Sequence, residues 1–295
     1  MTSTQNAVFA HLATSISGGF GSARSDVHFT GLHGGKFDVK GKHGAVFCLL
    51  SAKHLALNAR FKYITFVLPP SDPRSVFLKK VHGSVLSEAF VTMIAPSQGT
   101  VRVHYTSKRP YVANVQVLTT TRILNETWLD HKTLPLMRFK KNSGMYVALV
   151  KASPVALNVV DGSWNITIYP GSYRLANGSM GRRIDVNVYR AHGAISDRIT
   201  PHGLIGQSYH DPVQIEGNID QYVPNTHGEY STSAQGEGAI EGNIDDYEIK
   251  GTPFGTAFVF SRFGSLFPPR DVSKLSGKKL SRASKHMRGA AHSDN

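Results

Sequence analysis

Asp26 and His28 are the pair of side chains whose types and spacing could most directly support chemistry. The two residues flank Val27, and residues two apart on a β-strand present their side chains on one face. A carboxylate beside an imidazole can hold a metal ion, act as a general-base relay or form a structural hydrogen bond. No serine nucleophile can be placed beside the pair from spacing. We therefore favour the structural hydrogen bond, with the imidazole held beneath the Gly34-Gly35 turn.

A second group of glycine-flanked polar residues lies in His202-Gly203-Leu204-Ile205-Gly206-Gln207. Glycines at such positions are typical of tight turns between strands. We predict a structural polar lock that ties strands together and is formed by Asp26, His28, His202 and Gln207. The 14 histidines of the chain are scattered, with neither an HExxH motif nor a Cys/His ligand spacing, so the sequence gives little support to a zinc site.

An acidic segment occurs twice, at residues 215–223 and again 25 residues later at residues 240–249. The match favours duplication of one hairpin element, in which alternate positions would present oxygen-bearing side chains together. Hard oxygen ligands in that arrangement suit Ca²⁺, although neither copy matches an EF-hand loop. The alternatives are a solvated polar edge, which we favour, and acids that offset local positive charge. The candidate calcium ligands are Glu216, Asn218, Asp220, Glu241, Asn243, Asp245 and Asp246.

No convergent catalytic set is visible in the sequence, and we predict that the chain is not an enzyme. Nothing connects the acids to Trp128 or Trp164, so a glycosidase pair with flanking aromatic residues is not indicated. The glycine-rich turn at residues 31–35 leads into a strand rather than a helix, which is wrong for a phosphate cradle. A hydrolase that uses Asp26 and His28 is the enzymatic alternative.

Three features of the sequence bear on the compartment in which the protein works. Candidate N-glycosylation tripeptides, which matter only in a secreted protein, begin at Asn125, Asn165 and Asn177. The single cysteine, Cys48, lies in an apolar run, so we expect a buried and inert thiol without an internal disulfide. The N-terminus lacks the basic start and the long apolar core of a secretory signal peptide.

Period-2 alternation of apolar and polar residues dominates the middle of the chain and predicts an all-β protein. Examples lie at residues 37–40, 56–61, 100–105, 111–118 and 184–189. No long window shows a helical stripe, and hairpin-turn dipeptides occur at Asp161-Gly162 and Asn177-Gly178. We expect a mostly antiparallel β-sandwich or stacked-hairpin sheet with disordered termini.

Composition divides the 295 residues into a folded body and two polar ends. We expect a flexible leader at residues 1–24, a β domain at residues 25–263 and a basic disordered tail at residues 264–295. The last strand of the domain is predicted to run from Phe254 to Phe263. The net charge is +13, of which the tail supplies +5, and a solvated tail is favoured over a dedicated binding arm. No apolar stretch is long enough for a membrane helix, so no membrane span is predicted.

The domain resembles von Willebrand factor type D-like modules over residues 25–263. Residues 25–29 (Ser-Asp-Val-His-Phe) are similar to the Gly-Asp-Pro-His-Phe opening of those modules, and residues 202–207 are similar to their later Gly-Leu-X-Gly turn. Residues 47–51 (Phe-Cys-Leu-Leu-Ser) resemble a run in the cysteine-poor branch, which includes plant root-cap and late-embryogenesis-like proteins and protist members. Ser25 and Val27 depart from the opening motif. The paired cysteines of the animal modules are absent, so their disulfide assembly chemistry does not carry over.

The resemblance implies a non-enzymatic structural or adhesive protein that works outside the cell through a protein partner or through self-assembly. Animal modules of this type bind calcium in an Asn/Asp-rich loop after the Gly-Leu-X-Gly turn. Asp211 follows the turn here, but the residues after it do not match that loop. Calcium is therefore the one cofactor left open. The alternative function is a binding module for an anionic polymer, either glycan or nucleic acid, that uses the basic surface and tail.

Overall fold

A computed structural model describes residues 19–68, 78–95, 99–107, 112–118, 123–129, 136–138, 146–150, 156–160, 163–190, 199–209 and 215–264. Within these ranges the chain forms fifteen β-strands, all in one sheet, and two short 3-10 helices at Gly206–Tyr209 and Ile244–Tyr247. Most of the predicted leader and nearly all of the predicted basic tail lie outside the described residues. The predicted turn at Asp161-Gly162 also lies outside them.

The strands are short near the N-terminus and long in the middle of the chain. The longest two, β5 and β6, hold 14 and 17 residues and pair with each other. The strand bounds are β1 Phe20–Arg24, β2 His28–Thr30, β3 Lys36–Asp38, β4 Val46–Ala52, β5 Leu55–Leu68, β6 Lys79–Ala95, β7 Gly99–Thr106, β8 Val112–Leu118, β9 Ile123–Leu129, β10 Leu136–Arg138, β11 Tyr146–Val150, β12 Ala156–Val160, β13 Trp164–Arg174, β14 Met180–Arg190 and β15 Tyr230–Ser231.

The central path of the sheet has the strand order β10-β11-β12-β13-β14-β6-β7-β8-β9. Neighbours in this path are consecutive antiparallel strands, except that β14 meets β6 through the pair Ile184 and Leu86. β4 and β5 run beside β6, while β1, β2 and β3 form a meander that begins against β14. Among the described strands, only β15 and β6 pair in parallel. The predicted all-β, mostly antiparallel fold is therefore confirmed.

Burial in β13 follows the alternation that its sequence displays. In β13 the side chains of Trp164, Ile166 and Ile168 are buried, and the residues between them are half-buried. The alternation therefore turns one face of β13 towards the hydrophobic core and leaves the other partly solvated. The predicted strands at residues 37–40, 56–61, 100–105, 111–118 and 184–189 overlap β3, β5, β7, β8 and β14.

β4 departs furthest from this alternation because all seven of its residues are buried, and β5 and β14 each contain a run of five buried residues. Phe47 and Leu49 join the main hydrophobic core, whereas Val46 and Cys48 pack in a smaller cluster with Phe90. Burial raises the pKa of the Cys48 thiol, which keeps the sulfur protonated and poorly nucleophilic.

Irregular chain covers the free edges of β3 and β4, and this arrangement positions the candidate site. Asp38 on β3 donates its backbone N–H to the carbonyl of Asn218. Ser51 on β4 exchanges two backbone hydrogen bonds with His202. Uncovered strand edges leave donors and acceptors that can pair with other chains. Residues 199–209 and 215–249 thus complete the sheet even though they are hardly strands themselves.

Three predictions about the secondary-structure elements are wrong. β1 lies inside the predicted leader and pairs with both β2 and β14, so the folded body begins before Ser25. The segment from Phe254 to Phe263 forms turns rather than a strand, because its backbone-to-backbone hydrogen bonds are local, apart from the one that Val259 donates to Asp246. Neither repeat copy is a hairpin, since residues 215–223 are irregular and the second copy contains the 3-10 helix Ile244–Tyr247.

Candidate functional site

His28 is fixed by a carboxylate on the neighbouring strand. Its Nδ1–H donates to Oδ1 of Asp38 over 2.7 Å, and the β2–β3 register places the two residues directly opposite each other. Asp38 is almost completely buried, whereas the His28 side chain is half-exposed. The sequence analysis missed Asp38, although the hairpin turn at residues 31–35 pairs it with His28. The carboxylate that holds the imidazole is therefore Asp38 rather than Asp26.

Asp26 is buried beside this pair but binds a different strand. Its Oδ1 accepts the backbone N–H of Ser84 on β6 over 2.8 Å. The adjacent Gly83 makes room for the carboxylate, because a Cβ there would lie 2.2 Å from the same oxygen. Tyr222 approaches from the first acidic copy, with its hydroxyl 3.4 Å from Asp26 Oδ2 and 3.5 Å from His28 Nε2.

Asp38 also fastens the first acidic copy to the sheet. Its second oxygen, Oδ2, accepts the backbone N–H of Asp220 over 2.9 Å. The carboxylate of Asp220 in turn accepts the backbone N–H groups of Ser233 and Ala234 at 2.6 and 3.0 Å. We call Asp26, His28, Asp38, Asp220 and Tyr222 the hairpin lock. It joins β2, β3, β6 and residues 220–234 through side chains that are mostly buried.

The backbone around the hairpin lock is strained. Ser25, Val27 and Tyr222 have φ values of 56°, 33° and 49°, and the described chain has one other non-glycine residue, His54, in this left-handed region. Such conformations persist when the surrounding contacts fix them. Here Ser25 donates its N–H to Asp185 over 3.1 Å, and the Val27 side chain is completely buried.

Three groups of the hairpin lock, those of Asp26, His28 and Tyr222, have raised pKa values. Burial raises the pKa of Asp26 from 3.8 to about 6, against the opposing hydrogen bond from Ser84. The hydrogen bond to Asp38 raises the pKa of His28 above its ordinary value. Burial, with the nearby carboxylates, raises the pKa of Tyr222, so its hydroxyl stays a donor. Asp26, His28 and Tyr222 therefore hold their protons more tightly than they do in an unfolded chain.

His202 lies in a second cluster of polar residues, beside the second copy of the acidic repeat. Its Nδ1 accepts the backbone N–H of Gly203 over 2.9 Å, which leaves Nε2–H to donate to Glu241 over 3.1 Å. Oε1 of Gln207 accepts both the backbone N–H of Glu241 and the hydroxyl of Tyr247, at 2.9 and 2.7 Å. Burial lowers the pKa of His202, so the neutral imidazole is favoured.

The four residues predicted to lock strands therefore lie in two separate clusters. Asp26 and His28 belong to the hairpin lock, and His202 and Gln207 belong to the second cluster. What the sequence did not reveal is that each cluster is closed by one copy of the acidic repeat. Tyr222 of the first copy faces His28, and its counterpart Tyr247 lies against His202 with ring centroids 5.8 Å apart.

The candidate calcium ligands are engaged mainly as hydrogen-bond acceptors within the protein. Glu216 accepts the backbone N–H of Lys36, and Asn243 and Asp246 form a capping box around the second 3-10 helix. Asp245 forms an exposed ion pair of 2.7 Å with Lys42. Within the described ranges, no group of three or more His, Cys, Asp and Glu side chains is placed to hold a metal ion. The structure thus does not bring these ligands together as one site.

Two of the three glycosylation tripeptides have described acceptor side chains. Asn177 is exposed in the turn between β13 and β14, where its Oδ1 accepts from the backbone and hydroxyl of Ser179. Asn165 lies in β13 and is half-buried. Asn125 lies in β9, and its side chain is outside the described part of the chain.

Two cavities border the acidic repeat, and neither is lined by His28 or His202. One is a minor pocket beneath the turn at residues 31–35. The other is an open groove of about 650 Å³, which we call the repeat groove. Its lining consists of residues 217–223 together with Ser231, Ser233, Ala234 and Glu237.

Comparison with known proteins adds no identification to this geometry. No protein-family model matches the chain, and no curated protein is significantly similar to it. In the described part of the structure no helix is long and apolar enough to cross a membrane. The resemblance to von Willebrand D-like modules therefore stays a prediction from the sequence motifs.

We expect Asp38→Asn to lower the free energy of unfolding by about 2–4 kcal/mol, because the substitution weakens two buried hydrogen bonds at once. Urea unfolding at neutral pH measures the loss. Asp245→Asn is the matched control, since that carboxylate forms an exposed ion pair, which contributes little. Equal losses in the two variants would contradict the role assigned to the Asp38 carboxylate.

We also expect the hairpin lock to make the protein less stable as pH rises. The folded-state pKa values of Asp26 and His28 are raised, so the folded chain binds more protons than the unfolded chain in this range. The contribution of Asp26 is present below about pH 4 and is lost as pH rises through about 6. A shift from 3.8 to about 6 corresponds to roughly 3 kcal/mol.

The measurement for this second prediction is the difference in unfolding free energy between the native chain and Asp26→Asn at several pH values. Taking the difference removes the contributions of other groups, such as Glu229, whose pKa is lowered to about 2 by Lys80 and His82. The native chain should lose its advantage over the variant between pH 4 and pH 6. Parallel curves across this range would show that the burial of Asp26 has no such effect.

Proposed function

We propose that this chain is a non-catalytic structural or adhesive protein of the von Willebrand D-like type, and that its β body presents a binding face to a protein partner. The family motifs and the internal use of the polar residues support this proposal. Asp26, His28, His202 and Gln207 all bind other groups of the fold, and neither His28 nor His202 lines either cavity beside the repeat. An extracellular location is part of the proposal and rests on the resemblance.

One observation carries the proposal, which is the row of exposed apolar side chains in the first acidic copy. Ile215, Ile219 and Val223 stand among the few large apolar side chains that the described chain exposes. Exposed apolar residues that occur singly need no explanation, but Ile219 and Val223 line one groove together with polar residues, and apolar side chains with a polar rim are typical of an interaction site. The hairpin lock fixes this segment beforehand, which lowers the entropy cost of binding.

A photo-crosslinking amino acid placed at Val223 tests the proposal. Val223 is 70% exposed, and we expect it to crosslink to a polypeptide, either a partner or another copy of the chain, in an extract of the source organism. Met180 at the start of β14, 60% exposed and outside the first acidic copy, is the matched control position. Two outcomes would contradict a protein-binding face at Val223. One is that no polypeptide is crosslinked there, and the other is that crosslinking is equal at the two positions.

Binding of an anionic polymer is the second candidate, and the distribution of charge favours it. Residues 215–249 hold eight of the 20 Asp and Glu residues and none of the 33 Lys and Arg residues, so the rest of the chain is strongly basic. A basic surface attracts glycan sulfates or nucleic-acid phosphates. Affinity for such a polymer falls steeply with salt, and binding that survives high salt would count against this function.

A further inference from the structure

The two copies of the acidic repeat share their sequence but not their surroundings. Ile244 and Tyr247 of the second copy are buried, with 9% and 0% of their surface exposed. Ile219, which matches Ile244, is 42% exposed in the first copy. The matched isoleucines are identical, but the two copies differ both in backbone, since a 3-10 helix begins at Ile244, and in the chain that lies over them.

Phe258 and Phe260 lie over the second copy. Their ring centroids are 6.1 and 5.4 Å from that of Tyr247, and Phe260 also stacks on His202 at 4.5 Å. A Cβ at Gly242 would lie 3.3 Å from the ring of Phe260, so the cover approaches the repeat closely. The second copy thus forms a seat for a Phe-Val-Phe segment of the same chain.

The first copy has no aromatic cover among the described residues that line its groove. The positions 25 residues before Phe258 and Phe260 are Ser233 and Gln235, so the aromatic pair is not duplicated. The repeat groove opens here, lined by Gly217 and Tyr222, the counterparts of Gly242 and Tyr247. A volume of about 650 Å³ is in the range of sites that hold a ligand.

Charge adds a second requirement for whatever fills the repeat groove. Asp220 and Glu237 line it, and no Lys or Arg occurs anywhere in residues 215–249. The cover of the second copy continues from Phe260 to Arg262, whose positive charge acts on His202. A segment with the same order of residues would place a cation at the acidic groove of the first copy, which favours association.

We propose that the repeat groove binds a segment of a protein partner in which two aromatic side chains, two residues apart, are followed by a basic residue. The pattern for this segment is the turn at Phe258 and Phe260, which a hydrogen bond from the Ser261 N–H to the Phe258 carbonyl closes and from which both rings face Tyr247. Aromatic anchors in a pocket with a polar rim are typical of the residues that dominate binding energy. This inference rests on the proposed function, because it specifies the chemistry of the partner for the same face.

A synthetic, fluorescently labelled peptide with the sequence of residues 257–263 (Ala-Phe-Val-Phe-Ser-Arg-Phe) is the probe for this groove. Fluorescence anisotropy should show saturable binding to the full chain. We expect affinity to fall about tenfold or more when alanine replaces the first two phenylalanines of the peptide. Ile219→Gln in the protein should have an effect of similar size, and Glu237→Gln should weaken binding and reduce its salt dependence.

Val259→Gln is the matched control in the protein, since Val259 is also apolar and 42% exposed but does not line the groove. It should leave the affinity unchanged within about twofold, and urea unfolding should show that all variants are folded. The Ile219→Gln variant also separates binding at the first copy from binding at the second copy. A peptide that displaced Phe258 and Phe260 from the second copy would be insensitive to that substitution.

The absence of saturable peptide binding overturns the inference, and so does binding that Ile219→Gln and Glu237→Gln leave unchanged. A neutral oligosaccharide that binds the groove when the peptide does not would also overturn it. If Val223 crosslinks to polypeptide while the peptide fails to bind, the aromatic specificity is wrong and the protein-binding face stands. If both experiments are negative, the proposed function fails as well.

Discussion

One buried carboxylate, that of Asp38, connects the sheet to the irregular chain that completes it. Its two oxygens accept hydrogen bonds from the imidazole of His28 on β2 and from the backbone of Asp220 in the first acidic copy. In a buried environment each of these bonds is strong, and each partner would be costly to leave unsatisfied. The strained backbone at Val27 and Tyr222 is held on either side of this contact. The position of the first acidic copy therefore depends on it.

A similar arrangement surrounds His202. Its imidazole donates to the carboxylate of Glu241, and the Gln207 side chain accepts the backbone N–H of Glu241. A repeated acidic segment thus closes two histidine-centred clusters and covers the edges of β3 and β4. Asp220, a candidate calcium ligand from the sequence, instead accepts hydrogen bonds from the backbone N–H groups of Ser233 and Ala234. Asp220 directs its hydrogen bonds inward, whereas the side chains of Glu241 and Asp245 stay largely exposed. We place the protein partner at the repeat groove, which Ile219 and Val223 line.

Much of the fold could be predicted because its main signal is local. Alternation in single segments was sufficient for β3, β5, β7, β8 and β14, and the Asn177-Gly178 turn follows from a residue, Gly178, with a φ of 81°. To predict the contact between His28 and Asp38, one needs the register of the β2–β3 hairpin. Counting outward from the turn at residues 31–35 would have supplied that register. The acidic copies could not be placed in this way, because their conformation is set by hydrogen bonds to strands distant in sequence. The segment from Phe254 to Phe263 has the apolar residues typical of a strand, although in the structure Phe258 and Phe260 cover the second acidic copy. This contact also involves residues distant in sequence, such as His202, and local patterns do not reveal it.

Native-state hydrogen exchange tests the central claim most directly, because it reports on the lock without a substitution. The backbone N–H groups of Asp220, Ser233 and Ala234 lie in irregular chain, yet each donates to a carboxylate of the lock. The account predicts that these three amides exchange about as slowly as those of buried strand β4. Exchange as fast as that of the exposed turn at residues 225–228 would show that the acidic copy is not fastened to the sheet, and would contradict the account.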